Sequence, residues 1–200
     1  MGFRPGIVLW LLWLTWVVSW LVAARWSSAA TRVEGGRLVL LYRVSLVVGF
    51  CLLVYPYRIA WLPCLWRLSD FEGWLVDLLA LAGFAFCWWA RVHLGRLWSS
   101  AVTIKPDHHI VESGPYGLVR HPIYTGLLTA ILASVLMNGT LLGVIGGLIM
   151  LAGMVTKARL EEAWLRRQLG EGAYDAYANG CRCSSRSRGC RQRCHPRSSC

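Results

Sequence analysis

Long apolar runs separated by short polar interruptions set the plan of this chain. Ile7 to Ala24 is eighteen residues without a charge, close to the roughly 20 apolar residues a helix needs to cross a bilayer core. A cleaved secretory signal has a shorter apolar centre, about 7–15 residues, so the run predicts a retained membrane helix. Leu38 to Tyr55 forms a second run, with Arg43 near its start and able to snorkel. Pro56 and Pro63 punctuate the loop that follows. Gly73 to Ala90 is a third run, with Asp77 as its one acid. An acid inside a membrane helix is a functional candidate, but a solvated position one turn inside the helix end is equally compatible with the sequence. Tyr124 to Met137 is apolar and short, Asn138-Gly139 makes a turn, and Leu141 to Val155 is apolar again. The last helix continues through "TKARLEEAWLRRQLG", where Leu160, Trp164 and Leu165 share one face. Gly170 is a natural stop. The pattern predicts an all-α integral membrane fold of about five transmembrane helices, with a polar loop from Arg91 to Pro122 and a C-terminal helix. We divide the chain into N-terminal helices (1–72), a core (73–178) and a tail (179–200).

Composition supports this picture. Hydrophobic residues make up 56% of the chain and mean hydropathy is +0.47, too apolar for an ordinary soluble domain. Twelve tryptophans suit a protein with membrane interfaces. The net charge is +11, and six arginines with no acid fall between Cys181 and Cys200. With five spans, the Arg25–Arg37 loop, the Arg91–Arg120 loop and the C-terminus lie on one side. Arg4, Arg58 and Arg67 lie on the other. The lysine and arginine excess makes the first side cytoplasmic and puts the N-terminus outside. The basic charge suits anionic membrane lipid; no recognition module accompanies it that would point to nucleic acid.

Cysteine chemistry adds little. Cys51, Cys64 and Cys87 sit in or near apolar runs, and the other five crowd the tail without paired CxxC spacing. The histidines have no helical spacing that would support a zinc site. No metal is expected, and the tail reads as a disordered Arg/Ser/Cys segment.

The chemistry gathers in "SGPYGLVRHPIYTG", Ser113 to Gly126. Gly114 and Pro115 favour a turn. Pro122 keeps His121 out of the helical region and suits the first turn of the fourth span. Ser113 to His121 is therefore an ordered loop over a helix N-terminus, a place that accepts negative charge. Tyr116, Tyr124 and Trp98 offer aromatic faces for a ring or a cation. Arg159, Glu161 and Glu162 follow the fifth span. Two antiparallel helices joined by a short turn bring these ends side by side. A zwitterionic, nucleotide-like molecule with a positive centre matches such a site.

"GPYGLVRHPIYTG", followed by "RLEEAWL" and "LGEGAYDAY", resembles the isoprenylcysteine carboxyl methyltransferase family and its phospholipid methyltransferase relatives. "HLGRLWS" and "IKPDHHIVESGPY" fit the same group. The resemblance implies an enzyme, with S-adenosyl-L-methionine as cofactor and a lipophilic or lipidated substrate. It implies a cofactor pocket lined by His108, Val111, Gly114, Tyr116, His121, Pro122 and Tyr124 and closed by Glu161 and Glu162. It gives Arg120 and Arg159, with Glu162, the catalytic side, where a substrate carboxylate or phosphate is held. Carboxyl O-methylation of a prenylcysteine-like or lipid carboxylate is the leading expectation. Phospholipid N-methylation, and reduction of the sterol-reductase type with a nicotinamide cofactor, are the alternatives; a non-catalytic membrane scaffold is the third.

Each residue also has a plainer reading. Arg120 can be a positive-inside anchor, His121 a helix cap, and the glutamates an exposed charged turn. Arg91 and Arg96 can be headgroup contacts and remain weak substrate candidates. His93 and His109 read as solvated loop residues.

Overall fold

The computed structural model describes residues 4–25, 32–33, 36–54, 64–95, 103–104 and 114–169. Six helices appear among them: α1 (Pro5–Ala24), α2 (Arg37–Val54), α3 (Asp70–Leu94), α4 (Pro115–Leu118), α5 (Pro122–Asn138) and α6 (Leu141–Leu169). Four of these, α1, α2, α3 and the Leu141–Trp164 part of α6, are long and apolar enough to cross a membrane. With 17 residues, α5 is the short fifth rod, about 25 Å at 1.5 Å per residue. The all-α membrane architecture read from the pattern is the one observed. A two-residue antiparallel pair, β1 (Arg32–Val33) with β2 (Thr103–Ile104), joins the loop after α1 to the loop after α3. The hydropathy pattern gave no sign of it.

Local signals explain the helix ends. Pro5 opens α1 at its first position, where the missing N–H costs nothing. Ser69 and Glu72 form a capping box: the Ser69 N–H donates to Glu72 Oε2 at 2.8 Å, and the Glu72 N–H donates to Ser69 Oγ. This box starts α3 three residues before the apolar run. Gly139 ends α5 in the left-handed region at φ 64°, and its N–H donates to Val135 O. A Cβ there would land on the Trp66 carbonyl oxygen. The stretch 64–66 is sealed onto this turn by Leu65 N–H to Gly139 O (2.7 Å) and Trp66 Nε1–H to Leu136 O (2.7 Å).

The helices alternate in direction. Pro5 meets Gly73 at one end of α1 and α3, and Ala23 meets Arg91 at the other, so these two run parallel. Gly83 faces Gly126 and Ala130, which sets α3 antiparallel to α5. Gly49 faces Gly146 and Met150, while Gly153 faces Ser45, which sets α2 antiparallel to α6. One rim thus holds the ends of α1, α3 and α6 and the starts of α2 and α5. The other rim holds the α5–α6 turn and the start of α3.

Small residues let these pairs close, as expected where lipid supplies no hydrophobic drive between helices. Gly126, Ala130 and Ser134 recur every fourth residue on α5 and are all buried. Trp13 donates from Nε1 to Ser134 Oγ at 2.8 Å, tying α1 to α5. The apolar surface faces outward: Leu21 is 66% and Val47 64% exposed, as suits a lipid-facing surface. Asp77 is not the solvated end residue the sequence allowed. It is 4% exposed, and neither carboxyl oxygen has a hydrogen bond among the described residues.

A Cβ at position 126 would press on the Gly83 carbonyl and the Cys87 backbone, which have little room to yield. Gly126→Ala should therefore destabilise the bundle by about 1–3 kcal/mol, the usual cost of overpacking, and Gly126→Val by more. Gly6→Ala, with nothing within 4 Å, is the control, and thermal melts in detergent read all three.

Candidate active site

The site is built where α5 begins and α6 ends. Pro122 occupies the first position of α5 and is fully buried. Its ring leaves His121 non-helical, at φ −125° and ψ 65°. From there His121 reaches α6: its Nε2 lies 3.1 Å from Glu162 Oε1, within hydrogen-bond distance. Arg120 Nη1 lies 3.9 Å from the same oxygen. One turn into α5, the Tyr124 hydroxyl donates to Glu161 Oε1 at 2.6 Å. The His121 and Tyr124 rings stack, with centroids 5.4 Å apart and planes inclined by 18°. Two consecutive carboxylates of α6 are thus each held from α5.

A cation the sequence reading passed over completes the cluster. Lys157 Nζ lies 3.9 Å from Glu161 Oε1, one helical turn earlier on α6. It also lies over two rings, 5.3 Å from the Tyr124 centroid and 5.9 Å from that of Tyr42. Tyr42 belongs to α2 and is 3% exposed. The Lys157–Glu161 spacing is readable in sequence as an i,i+4 pair. Tyr42 carried no local signal, because only the packing of α2 on α6 brings it here.

The floor of the site is α4 and the end of α3. Gly114 has φ 60°, a conformation that favours glycine, and a Cβ there would fall on the His93 ring. His93 is in the last turn of α3 rather than in a loop. Tyr116 is buried. Its phenol is pushed up, first by burial and then by the Glu161 charge, with Arg91 opposing. It therefore remains a hydroxyl at neutral pH.

Arg91 corrects the headgroup reading. It is 2% exposed and donates from Nη1 to Gly95 O (2.6 Å) and from Nη2 to Ala23 O (2.8 Å). Its charge meets carbonyls at the C-terminal ends of α1 and α3, where the helix dipole favours a cation. Arg159 is exposed and joins no hydrogen bond or ion pair among the described residues. His108 and Val111 lie outside the described residues, as do Arg96, Trp98 and His109. Among the described residues no cluster of His, Cys, Asp and Glu could hold a metal ion.

An α-helical integral membrane protein with a polar, two-carboxylate site at one rim is the class these features define. Residues 75–167, from α3 through most of α6, match the model of the isoprenylcysteine carboxyl methyltransferase (ICMT) family. No curated protein matches the chain.

Two outcomes are expected here. Tyr124→Phe and Glu161→Gln should be coupled in a double-mutant cycle by about 1–3 kcal/mol, the range for a hydrogen bond to a charged acceptor, as read from melts. Because the Tyr116 phenol is raised when folded, its contribution to stability is present below pH about 10 and is lost as pH rises further. Tyr116→Phe should accordingly lose less stability than wild type as pH is raised above about 10, as read from melts.

Proposed function

We propose that the protein is an S-adenosyl-L-methionine-dependent membrane methyltransferase acting on the carboxylate of a lipophilic acceptor. The pair Glu161 and Glu162, held from α5 by Tyr124 and His121 inside the ICMT segment, is the observation that carries this reading.

The residues present fit such a cofactor. Glu161 and Glu162 accept hydrogen bonds from an amine or from ribose hydroxyls. The His121 and Tyr124 rings give faces for a heterocycle or a cation. The N-terminus of α5 suits a carboxylate of the cofactor. The cofactor, when bound, supplies a methyl group on an electrophilic sulfonium.

The chain's own residues have modest chemical duties. An acceptor carboxylate is already ionised at neutral pH, so no side chain has to remove a proton. Arg120 orients that carboxylate, and the guanidinium geometry permits a bidentate hold. Buried Tyr116 and Pro122 close the floor against water. The gain comes from alignment and exclusion of water. An amine acceptor would require a proton to be taken, and His121 is the group in position. The ICMT match favours methyl transfer over nicotinamide-linked reduction.

We place this rim in the cytosol. Arg25, Arg37, Arg120, Lys157, Arg159, Arg166 and Arg167 lie at it, against Arg4 and Arg67 at the other among the described residues. That asymmetry is the positive-inside pattern.

Glu162→Gln keeps the size of the side chain and removes the charge that meets His121 and Arg120. It should weaken S-adenosylmethionine binding by roughly tenfold or more without lowering the melting temperature in step. Isothermal titration in detergent checks this, and an unchanged affinity removes Glu162 from the site.

A further inference from the structure

The helices α1 and α2, both outside the ICMT segment, meet at one end and part at the other. Away from the site rim, Trp10 and Trp13 of α1 reach Phe50 of α2, with ring centroids 6.5 and 6.0 Å apart. Nearer the site rim each helix is held by a different partner. Arg91 of α3 donates to the Ala23 carbonyl of α1, while Ser45 of α2 packs on Gly153 of α6. The sides that α1 and α2 turn toward each other are open there. Val17, one turn after Trp13, is 39% exposed, and Leu21 is 66% exposed. Trp20 stiffens the α1 wall, since it stacks on Trp16 at 4.8 Å and meets Trp88 of α3 edge-on at 5.7 Å. Phe50 closes the groove toward the bilayer centre.

On the α2 wall stands Arg43. It precedes Phe50 by seven positions, nearly two full turns, so the two share a side of the helix. It is exposed, and it lies about 9 Å along α2 from Arg37 at 1.5 Å per residue. A guanidinium does not give up its proton and is costly inside a membrane unless paired. Neither α1 nor α2 contains an acid. Arg43 joins no hydrogen bond or ion pair among the described residues. Arg25, the C-cap of α1, is exposed at the mouth of the same groove. The groove thus offers two cations above apolar and aromatic walls, and no anion of its own.

We propose that the α1–α2 groove is a binding site for one anionic phospholipid of the leaflet at the site rim. Arg43 takes the phosphate, which a guanidinium can hold bidentately, and its stem rises along the groove to the headgroup layer. Arg25 adds a second charge at the mouth. Val17, Leu21 and Trp20 line the first part of one acyl chain, and Phe50 turns the chain out into the bilayer. The site needs no cofactor and stands apart from the methyltransferase reading.

The test titrates the full chain in detergent with phosphatidylglycerol, with phosphatidylcholine of the same chains, and with inorganic phosphate, and follows the melting temperature. Phosphatidylglycerol should stabilise wild type saturably, at roughly tenfold lower concentration than phosphatidylcholine. Arg43→Gln should abolish that preference. Arg43→Lys should keep part of it, because an ammonium cannot make the bidentate contact. Arg4→Gln, at the opposite rim, should keep all of it. Val17→Trp fills the groove while leaving both arginines, and should lose the preference even if Arg43→Gln fails to fold. Equal responses of wild type to the two lipids overturn the proposal, as does a preference that survives in folded Arg43→Gln or Val17→Trp. Stabilisation by inorganic phosphate equal to that by phosphatidylglycerol marks a free-anion site and overturns the lipid.

Discussion

Two adjacent glutamates at the end of a membrane helix have to be accommodated where water thins out, and the site depends on how that is done. Burying a carboxylate without partners is costly. Here Glu161 has Tyr124 and Lys157, and Glu162 has His121 and Arg120. These partners come from α5 and from α6 itself. The contacts therefore fix the distance between the two helix ends while neutralising the charge. At the opposite rim Gly147 of α6 packs against the Val135 side chain of α5, and Gly139 makes the turn between them. At the site rim, side chains bridge them.

The rest of the bundle makes that geometry rigid. Gly83 against Gly126 holds α5 to α3, and Gly49 against Gly146 holds α6 to α2. Each member of the site pair is thus anchored to a different neighbour. Arg91 joins the ends of α1 and α3 beneath the loop, and His93 sits against Gly114. The arginine that looked like a lipid contact is an internal tie, which explains its burial better than a headgroup role does.

Much of this was legible in the sequence because membrane helices obey simple rules. Charge-free runs near bilayer length located the spans, and Asn138-Gly139 located the turn. Pro122 fixed the start of α5 and the non-helical backbone of His121. Hairpin geometry alone then required Arg120 and His121 to lie near Glu161 and Glu162. The illegible parts are those that depend on which helix packs on which. Tyr42 is one apolar-run tyrosine among several until α2 is seen against α6. Lys157 reads as a helix-surface partner of Glu161, and only the aromatic walls make it distinctive. The sequence leaves the place of Asp77 open and suggests a headgroup contact for Arg91 for the same reason: burial of a charged group inside a bundle leaves no mark on local hydropathy. The capping box at Ser69 and Glu72 was readable but lay outside the apolar run, so α3 was drawn too short.

The most direct test of the account is to incubate the purified protein with methyl-labelled S-adenosylmethionine and membrane lipid extract and to follow the label by mass spectrometry. Labelled methyl ester on a lipophilic carboxylate, lost in Glu161→Gln, is the result the account predicts. Label confined to unreacted cofactor and its spontaneous breakdown products, with intact and folded protein, would contradict it.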